Sequence, residues 1–135
     1  MTQVLSGYEF QSEDTRVLQD DPFANPGMLW VDQGSVLWRS KPSPDAPSCS
    51  SCHDEQADGL RGVAARYPSY DAEAGTLVNL EGRVNRCREK HQRQSAYAYE
   101  SAELLALTAF IAHQSNGMPI NVDIDGPARP FFDSG

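Results

Sequence analysis

The stretch Cys49-Ser50-Ser51-Cys52-His53 decides the fold of this 135-residue chain. Its Cys-x-x-Cys-His spacing is typical of the sites at which c-type haem is attached. Each thiol can add to one vinyl group of the porphyrin, and the adjacent histidine then lies beneath the iron as an axial ligand. One helical turn brings both sulfurs to the same porphyrin edge. We therefore predict one covalent haem c, bound through Cys49, Cys52 and His53.

Two other kinds of site use a Cys-x-x-Cys pair. A zinc site needs two further ligands, and the sequence has no second Cys-x-x-Cys. A thioredoxin-type redox pair belongs to a βαβ unit, and no such pattern surrounds the motif. The mostly helical pattern of the chain favours haem over both alternatives.

A haem that only transfers electrons needs a second axial ligand. Cys87 is the only cysteine outside the attachment motif, and spacings of four and three place it on one helix face with Leu80 and Val84. A buried core position is the ordinary role of a free cysteine, so ligand and core residue remain alternatives at this point. The other candidate ligands are Met28, His91, His113 and Met118.

The composition limits the possible partners. Nineteen acidic residues against eleven basic ones give a net charge of −8. This argues against nucleic acid and against an anionic membrane surface, because both require a basic face. No apolar run approaches the roughly 18 residues needed to span a bilayer. No secretion signal is visible, although c-type haem is attached outside the cytoplasm, so we expect a mature form from which the signal was removed.

The sequence predicts an all-α, cytochrome c-like fold with long irregular connections. Four helices are expected. The first is capped by Ser12 and runs to about residue 19, and the second begins at Asn25, with Pro26 at its first position, and runs to about residue 39. The third covers residues 77–93, and the fourth lies between a Ser101 cap and a Gly117 stop. Residues 58–74 contain two glycines and a proline and are expected to be irregular.

A glycine inside the second predicted helix suggests that another helix passes close by. Gly34 weakens that helix by about 1 kcal/mol relative to alanine, and a close contact explains why a glycine is tolerated there. We therefore expect Gly34 and Trp38 to meet the last helix near Leu107 or Phe110.

Several blocks of sequence resemble the A subunit of the SoxAX cytochrome, and the resemblance covers nearly the whole chain. Those outside the haem motif are more specific than the motif itself. The blocks are Ser6-Gly7-Tyr8-Glu9-Phe10, Asn25-Pro26-Gly27-Met28-Leu29-Trp30, Val84-Asn85-Arg86-Cys87-Arg88, Tyr99-Glu100-Ser101-Ala102-Glu103-Leu104-Leu105-Ala106-Leu107 and Gly126-Pro127-Ala128.

The resemblance implies a role in bacterial thiosulfate oxidation in the periplasm. The family pairs with a smaller cytochrome, the X subunit, and together they join thiosulfate oxidatively to a cysteine of a sulfur-carrier protein. The parent complex is then an L-cysteine S-thiosulfotransferase, of which this domain alone is not expected to be catalytic. The family's catalytic cysteine lies in a second haem domain and matches no position here.

The resemblance also implies the roles of individual residues. It makes His53 the proximal ligand and Cys87 the distal thiolate. Three arginines close to Cys87 add positive charge that favours the deprotonated sulfur, namely Arg83, Arg86 and Arg88. A thiolate stabilises ferric iron and lowers the reduction potential, so we expect a structural or auxiliary redox centre.

The resemblance further implies a domain organisation. Residues 1–24 are expected to form an N-terminal arm with a short helix, residues 25–118 the haem domain, and residues 119–135 an arm or linker toward a second domain. The alternative to electron transfer is a structural domain that docks the X subunit and whose haem is redox-silent or absent.

Overall fold

The computed structural model describes residues 6–135, so residues 1–5 of the predicted N-terminal arm lie outside it. Most regular structure is helical, which confirms the helical class expected from the sequence, with one small hairpin added. The α-helices are α1 (Glu13–Asp20), α2 (Met28–Arg39), α3 (Ser50–His53), α4 (Leu80–Cys87), α5 (Ala102–His113) and α6 (Arg129–Ser134). A π-helical turn spans Arg88–Gln92, and short 3-10 helices span Gly7–Phe10, Asp58–Leu60, Ala64–Arg66 and Gly126–Ala128.

The closest packing in the domain is between α2 and α5, at Gly34. A Cβ atom on Gly34 would lie 2.0 Å from the Ala106 carbonyl oxygen and 2.6 Å from Phe110 Cβ, so only glycine fits there. Trp38, one turn further along α2, is 2% exposed, and its ring lies 5.6 Å from that of Phe110. The predicted contact between this part of α2 and the last predicted helix, which is α5, is confirmed.

Local hydrogen bonds set three of the helix starts. The Ser12 hydroxyl accepts from Thr15 N–H and the Ser101 hydroxyl from Leu104 N–H, as the sequence predicts for N-caps. The predicted start of α2, with Asn25 as the cap and Pro26 as the first helical residue, is wrong by two residues. The Asn25 side chain accepts from Gly27 N–H and closes a turn instead, so α2 begins at Met28.

The predicted helix over residues 77–93 is also wrong at its start. Strands β1 (Ser69–Asp71) and β2 (Thr76–Val78) form an antiparallel hairpin, with Tyr70 paired to Leu77. Asn79 then caps α4 by accepting from Gly82 N–H. Pairing with β1 therefore prevails over the helical pattern of residues 77–79.

The core lies between α2, α4 and α5. It is formed by Trp38, Ala57, Leu80, Leu107, Phe110 and Ile111. The segment after α5 packs back against the hairpin, since the Phe131 ring of α6 lies 6.2 Å from that of Tyr70. None of the helices in residues 6–135 is both long and apolar enough to cross a membrane.

Candidate haem site

The attachment motif forms a single helical turn that follows a proline-containing loop. Cys49 is the N-cap of α3, and its carbonyl accepts from the backbone N–H groups of Cys52 and His53, both at 3.1 Å. The buried Ser48 accepts from Ser51 N–H at 3.1 Å and fixes the start of the turn. Both cysteines of the motif are therefore presented from one turn, as the chemistry of haem attachment requires.

The facing wall is formed by α4 and the π-helical turn that follows it. Cys87 is the last residue of α4 and is half-buried. The π-helical turn begins at the next residue, and such turns are frequent at functional sites. At its end, the buried Gln92 donates from Nε2 to the Pro47 carbonyl at 3.0 Å and to Cys49 Sγ at 3.7 Å. This side chain joins the Cys87 wall to the attachment loop.

A cavity of about 670 Å³ lies between these walls. Its size falls within the range of about 300–1,000 Å³ that is typical of ligand sites. Cys49, Cys52, His53 and Cys87 all line it. Its apolar wall is formed by Trp38, Leu60, Val63, Leu80, Val84, Leu107 and Ile111. Three thiols and an imidazole along a mostly apolar lining are side chains that fit a haem.

The cavity separates the candidate axial ligands into two groups. Cys87 and His91 line it, whereas Met28, His113 and Met118 are not among its lining residues in the part of the chain that the structure describes. The Met118 methyl group instead lies 3.1 Å from where a Cβ on Gly62 would be. Within residues 6–135, no group of three or more His, Cys, Asp or Glu side chains is placed to bind a metal ion by itself.

Burial raises the pKa of both half-buried thiols of the site, Cys49 and Cys87. Burial raises the pKa of Cys49, and so does the nearby Cys87. Burial likewise raises the pKa of Cys87 and outweighs the lowering by Arg83. Arg83 therefore favours the thiolate, as expected from the nearby arginines, but its effect is smaller than that of burial. A bound iron would supply the rest of the lowering, because a coordinated thiol is deprotonated.

The basic residues near Cys87 are committed to other partners. Asp71 of β1 contacts Arg83 at 3.3 Å and Arg86 at 3.5 Å, while Glu73 contacts Arg86 at 3.3 Å and Lys90 at 3.0 Å. These ion pairs attach the hairpin to the helix that carries Cys87. They therefore help to position the wall that carries Cys87.

Arg88 points to a different partner. Its guanidinium lies 3.9 Å from the centre of the Tyr97 ring and donates to the Tyr97 hydroxyl at 3.0 Å. Its Nε donates to the Ser95 carbonyl at 2.7 Å. This arginine therefore ties the π-helical turn to the segment that leads into α5.

Trp38 and Asp54 contact His53 or its adjoining peptide, and neither was predicted from the sequence to belong to the site. The Trp38 ring lies 5.5 Å from the His53 ring at an interplanar angle of 34°, and its Nε1 donates to the Asp54 carbonyl at 2.8 Å. Asp54 has φ 119°, in a region that L-residues rarely adopt and that costs about 1–3 kcal/mol. The sequence marks Trp38 only as a core residue, because its contact with His53 depends on how α2 and α3 are arranged.

Comparison with known proteins gives concordant matches. A family model described as the SoxA/TsdA cytochrome c domain matches residues 33–120. The L-cysteine S-thiosulfotransferase subunits SoxA of Pseudaminobacter salicylatoxidans and Rhodovulum sulfidophilum are 37% and 34% identical, over 97% and 98% of this chain and 46% of each relative. A chain in the crystal structure of SoxXA from P. pantotrophus superposes with a TM-score of 0.88 at 34% identity, over 96% of this chain and 49% of that one. This chain thus spans about half the length of the relatives it matches.

Proposed function

The chain belongs to the SoxA/TsdA cytochrome c domain family, and we propose that it is the haem-binding electron-transfer domain of a SoxAX-like complex. The family match and the structural likeness confirm the resemblance and the cytochrome c-like fold predicted from the sequence. A cytochrome c domain implies covalent haem c as the cofactor. The observation that carries the proposal is that the attachment motif and Cys87 line the same, mostly apolar cavity.

The proposed site binds one haem through four residues. Cys49 and Cys52 would form the two thioether bonds, and His53 and Cys87 would hold the iron as its proximal and distal ligands. Three features of the cavity support this set: its volume, its apolar walls and the presence of all four side chains along its lining. A covalent link also suits a cavity that is partly open, because the cofactor is then retained without being fully enclosed.

The bound haem supplies an iron that changes its oxidation state by one electron. The residues of the chain set how readily that change occurs. A thiolate from Cys87 brings negative charge to the ferric state, which lowers the reduction potential. A site with a low potential is a poor acceptor of electrons from thiosulfate, so this domain acts as an auxiliary or structural centre rather than as the site of sulfur chemistry.

The activity of the parent complex is part of the proposal. SoxA relatives are named as subunits of L-cysteine S-thiosulfotransferase, and a solved relative is described as SoxXA. By this likeness, the chain works in the periplasm with a partner X-subunit cytochrome, and the complex joins thiosulfate to a cysteine of a sulfur-carrier protein. Under this proposal the haem domain is residues 25–118, preceded by an arm at residues 1–24, and residues 119–135 are an arm or linker whose α6 packs against the hairpin.

The test is production of the chain with an export signal and the c-type haem maturation machinery. The intact mass of the denatured protein should show one added haem, because thioether bonds survive unfolding. The Cys49→Ser/Cys52→Ser double variant should lack it. Cys87→Ala is the matched control and should keep the covalent haem, because Cys87 lies outside the attachment motif.

Two results would contradict the proposal in different ways. Extraction of the haem by acid and acetone would show that it is not covalently bound. A haem whose visible spectrum stays the same over the accessible range of potential would favour the alternative of a docking domain for the X subunit.

A further inference from the structure

The orientation of the His53 imidazole has to be fixed by contacts with residues outside α3. His53 is the last residue of α3, which has four residues, and its side chain is exposed. A single helical turn has little stability of its own, because helix nucleation is unfavourable. The contacts made by neighbouring segments therefore decide where the imidazole points.

Trp38 makes two such contacts. Its ring lies 5.5 Å from the imidazole of His53, and its Nε1 donates at 2.8 Å to the carbonyl of Asp54, the next residue. Trp38 is itself immobilised in the core, where it packs against Phe110 of α5. The indole thus links His53 and the following peptide to the rigid crossing of α2 and α5.

Asp54 is also bound from the opposite side. Its carboxylate accepts from the backbone N–H of Asp58 at 3.1 Å and of Gly59 at 3.2 Å. Its φ of 119° is rare for a residue with a side chain, and such backbone conformations cluster at functional sites. The peptide after His53 is therefore held by the indole through its carbonyl and by residues 58–59 through its side chain.

We propose that Trp38 and Asp54 are positioning residues that fix the imidazole of His53 in the orientation required for binding the haem iron. The inference rests on the proposed role of His53 as the axial ligand. Groups around a metal ligand that set its ring orientation tune the metal, and their loss typically changes metal affinity or activity roughly 10–100-fold. Neither residue touches the reacting atoms, so each acts through His53.

The test compares electron paramagnetic resonance spectra of haem-loaded variants. Trp38→Phe keeps an aromatic ring in the core and removes the Nε1 donor. It should shift the low-spin g-values, broaden the signal and move the midpoint potential. Trp30, the only other tryptophan, is 40% exposed on the same helix, so Trp30→Phe is the matched control and should leave all three unchanged.

Two Asp54 variants test the other contact. Asp54→Gly allows the positive φ and keeps the backbone carbonyl but has no side-chain acceptor for the N–H groups of residues 58 and 59, so it should broaden the signal as Trp38→Phe does. Asp54→Asn keeps one acceptor and should restore g-values close to those of the wild type. These two variants decide the matter if Trp38→Phe does not fold.

The outcomes separate this inference from the proposed function. Unchanged g-values, linewidth and potential in Trp38→Phe and Asp54→Gly would overturn the inference alone, even if both variants unfold more easily. Wild-type protein without a low-spin haem signal that depends on His53, tested with His53→Ala, would overturn the proposed function and the inference with it.

Discussion

The side-chain amide of Gln92 donates to the sulfur of Cys49, with the two atoms 3.7 Å apart. The same amide donates to the Pro47 carbonyl at 3.0 Å. The wall that carries Cys87 and the loop that carries the attachment motif are thus joined by one buried side chain.

Replacing Gln92 by leucine should destabilise the domain. Leucine fills a similar volume but leaves the Pro47 carbonyl without its donor, which costs roughly 1–3 kcal/mol when the group is buried. Urea unfolding of the haem-loaded protein measures the loss in free energy of unfolding. Gln33→Leu, on the exposed side of α2, is the matched control and should change little. Equal unfolding midpoints for the two variants would show that the amide does not join the walls.

Replacing Gly34 should disrupt the crossing of α2 and α5. The Ala106 carbonyl oxygen lies 2.0 Å from where the first added atom would be, so Gly34→Leu forces the helices apart and should cost about 1–3 kcal/mol. Chemical denaturation provides the measurement. Gly7→Leu is the control, because a Cβ on Gly7 meets nothing within 4 Å. A Gly34→Leu protein with the wild-type midpoint would contradict the close crossing.

Replacing Cys87 should change the spectrum of the ferric haem. Cys87→Ala removes the proposed thiolate and should open a coordination site to water or added imidazole. Cys87→Met should raise the reduction potential, because a thioether lacks the negative charge of a thiolate. Electron paramagnetic resonance of the wild type and Cys87→Ala gives the comparison. Identical low-spin spectra would assign the sixth position to another residue, and His91 would be the first to test because it also lines the cavity.

Asp71 should make part of the stability depend on pH. Hydrogen bonds from the backbone N–H of Ala74, together with the charges of Arg86 and Arg83, lower its pKa in the folded protein and outweigh the effect of burial. A lowered pKa means that the stabilisation is complete above the pKa of an unfolded aspartate, about 3.9, and is lost as the pH falls through the folded value. Glu73 is the other acidic group paired with Arg86, and its pKa is also lowered, mainly by a hydrogen bond from Lys90.

The measurement is urea unfolding of wild type and Asp71→Asn between pH 7 and pH 3. The difference in free energy of unfolding should be greatest at neutral pH and should shrink below about pH 4. Asp45→Asn, at an exposed position in the loop before the attachment motif, is the control and should show no such trend. A difference that does not vary with pH would mean that the Asp71 charge does not stabilise the fold.

Much of the domain could be predicted from the sequence because it depends on neighbours along the chain. The Cys-x-x-Cys-His spacing places two thiols and an imidazole on one helical turn, and Ser12 and Ser101 cap their helices with local hydrogen bonds. Gly34 was also informative, since a glycine within a helix needs a reason and close packing supplies it. The two helix starts that were predicted wrongly lie where another local interaction competes with the helix. These interactions are the turn closed by Asn25 and the β1–β2 hairpin.

Only the tertiary structure decided which distant side chains meet at the cavity. Cys87 and Cys49 are 38 residues apart, and the packing of α4 brings Cys87 to the cavity that Cys49 also lines. Its role as an iron ligand stays a prediction. The contacts of Trp38 with His53 and of Gln92 with Cys49 have no local signature, because each depends on the docking of separate elements. The sequence by itself determined which reactive groups the site offers, two thiols and an imidazole, since the spacing that presents them acts within one helical turn. The tertiary structure determined how that chemistry is oriented, since orientation requires contacts between elements that are remote in the chain.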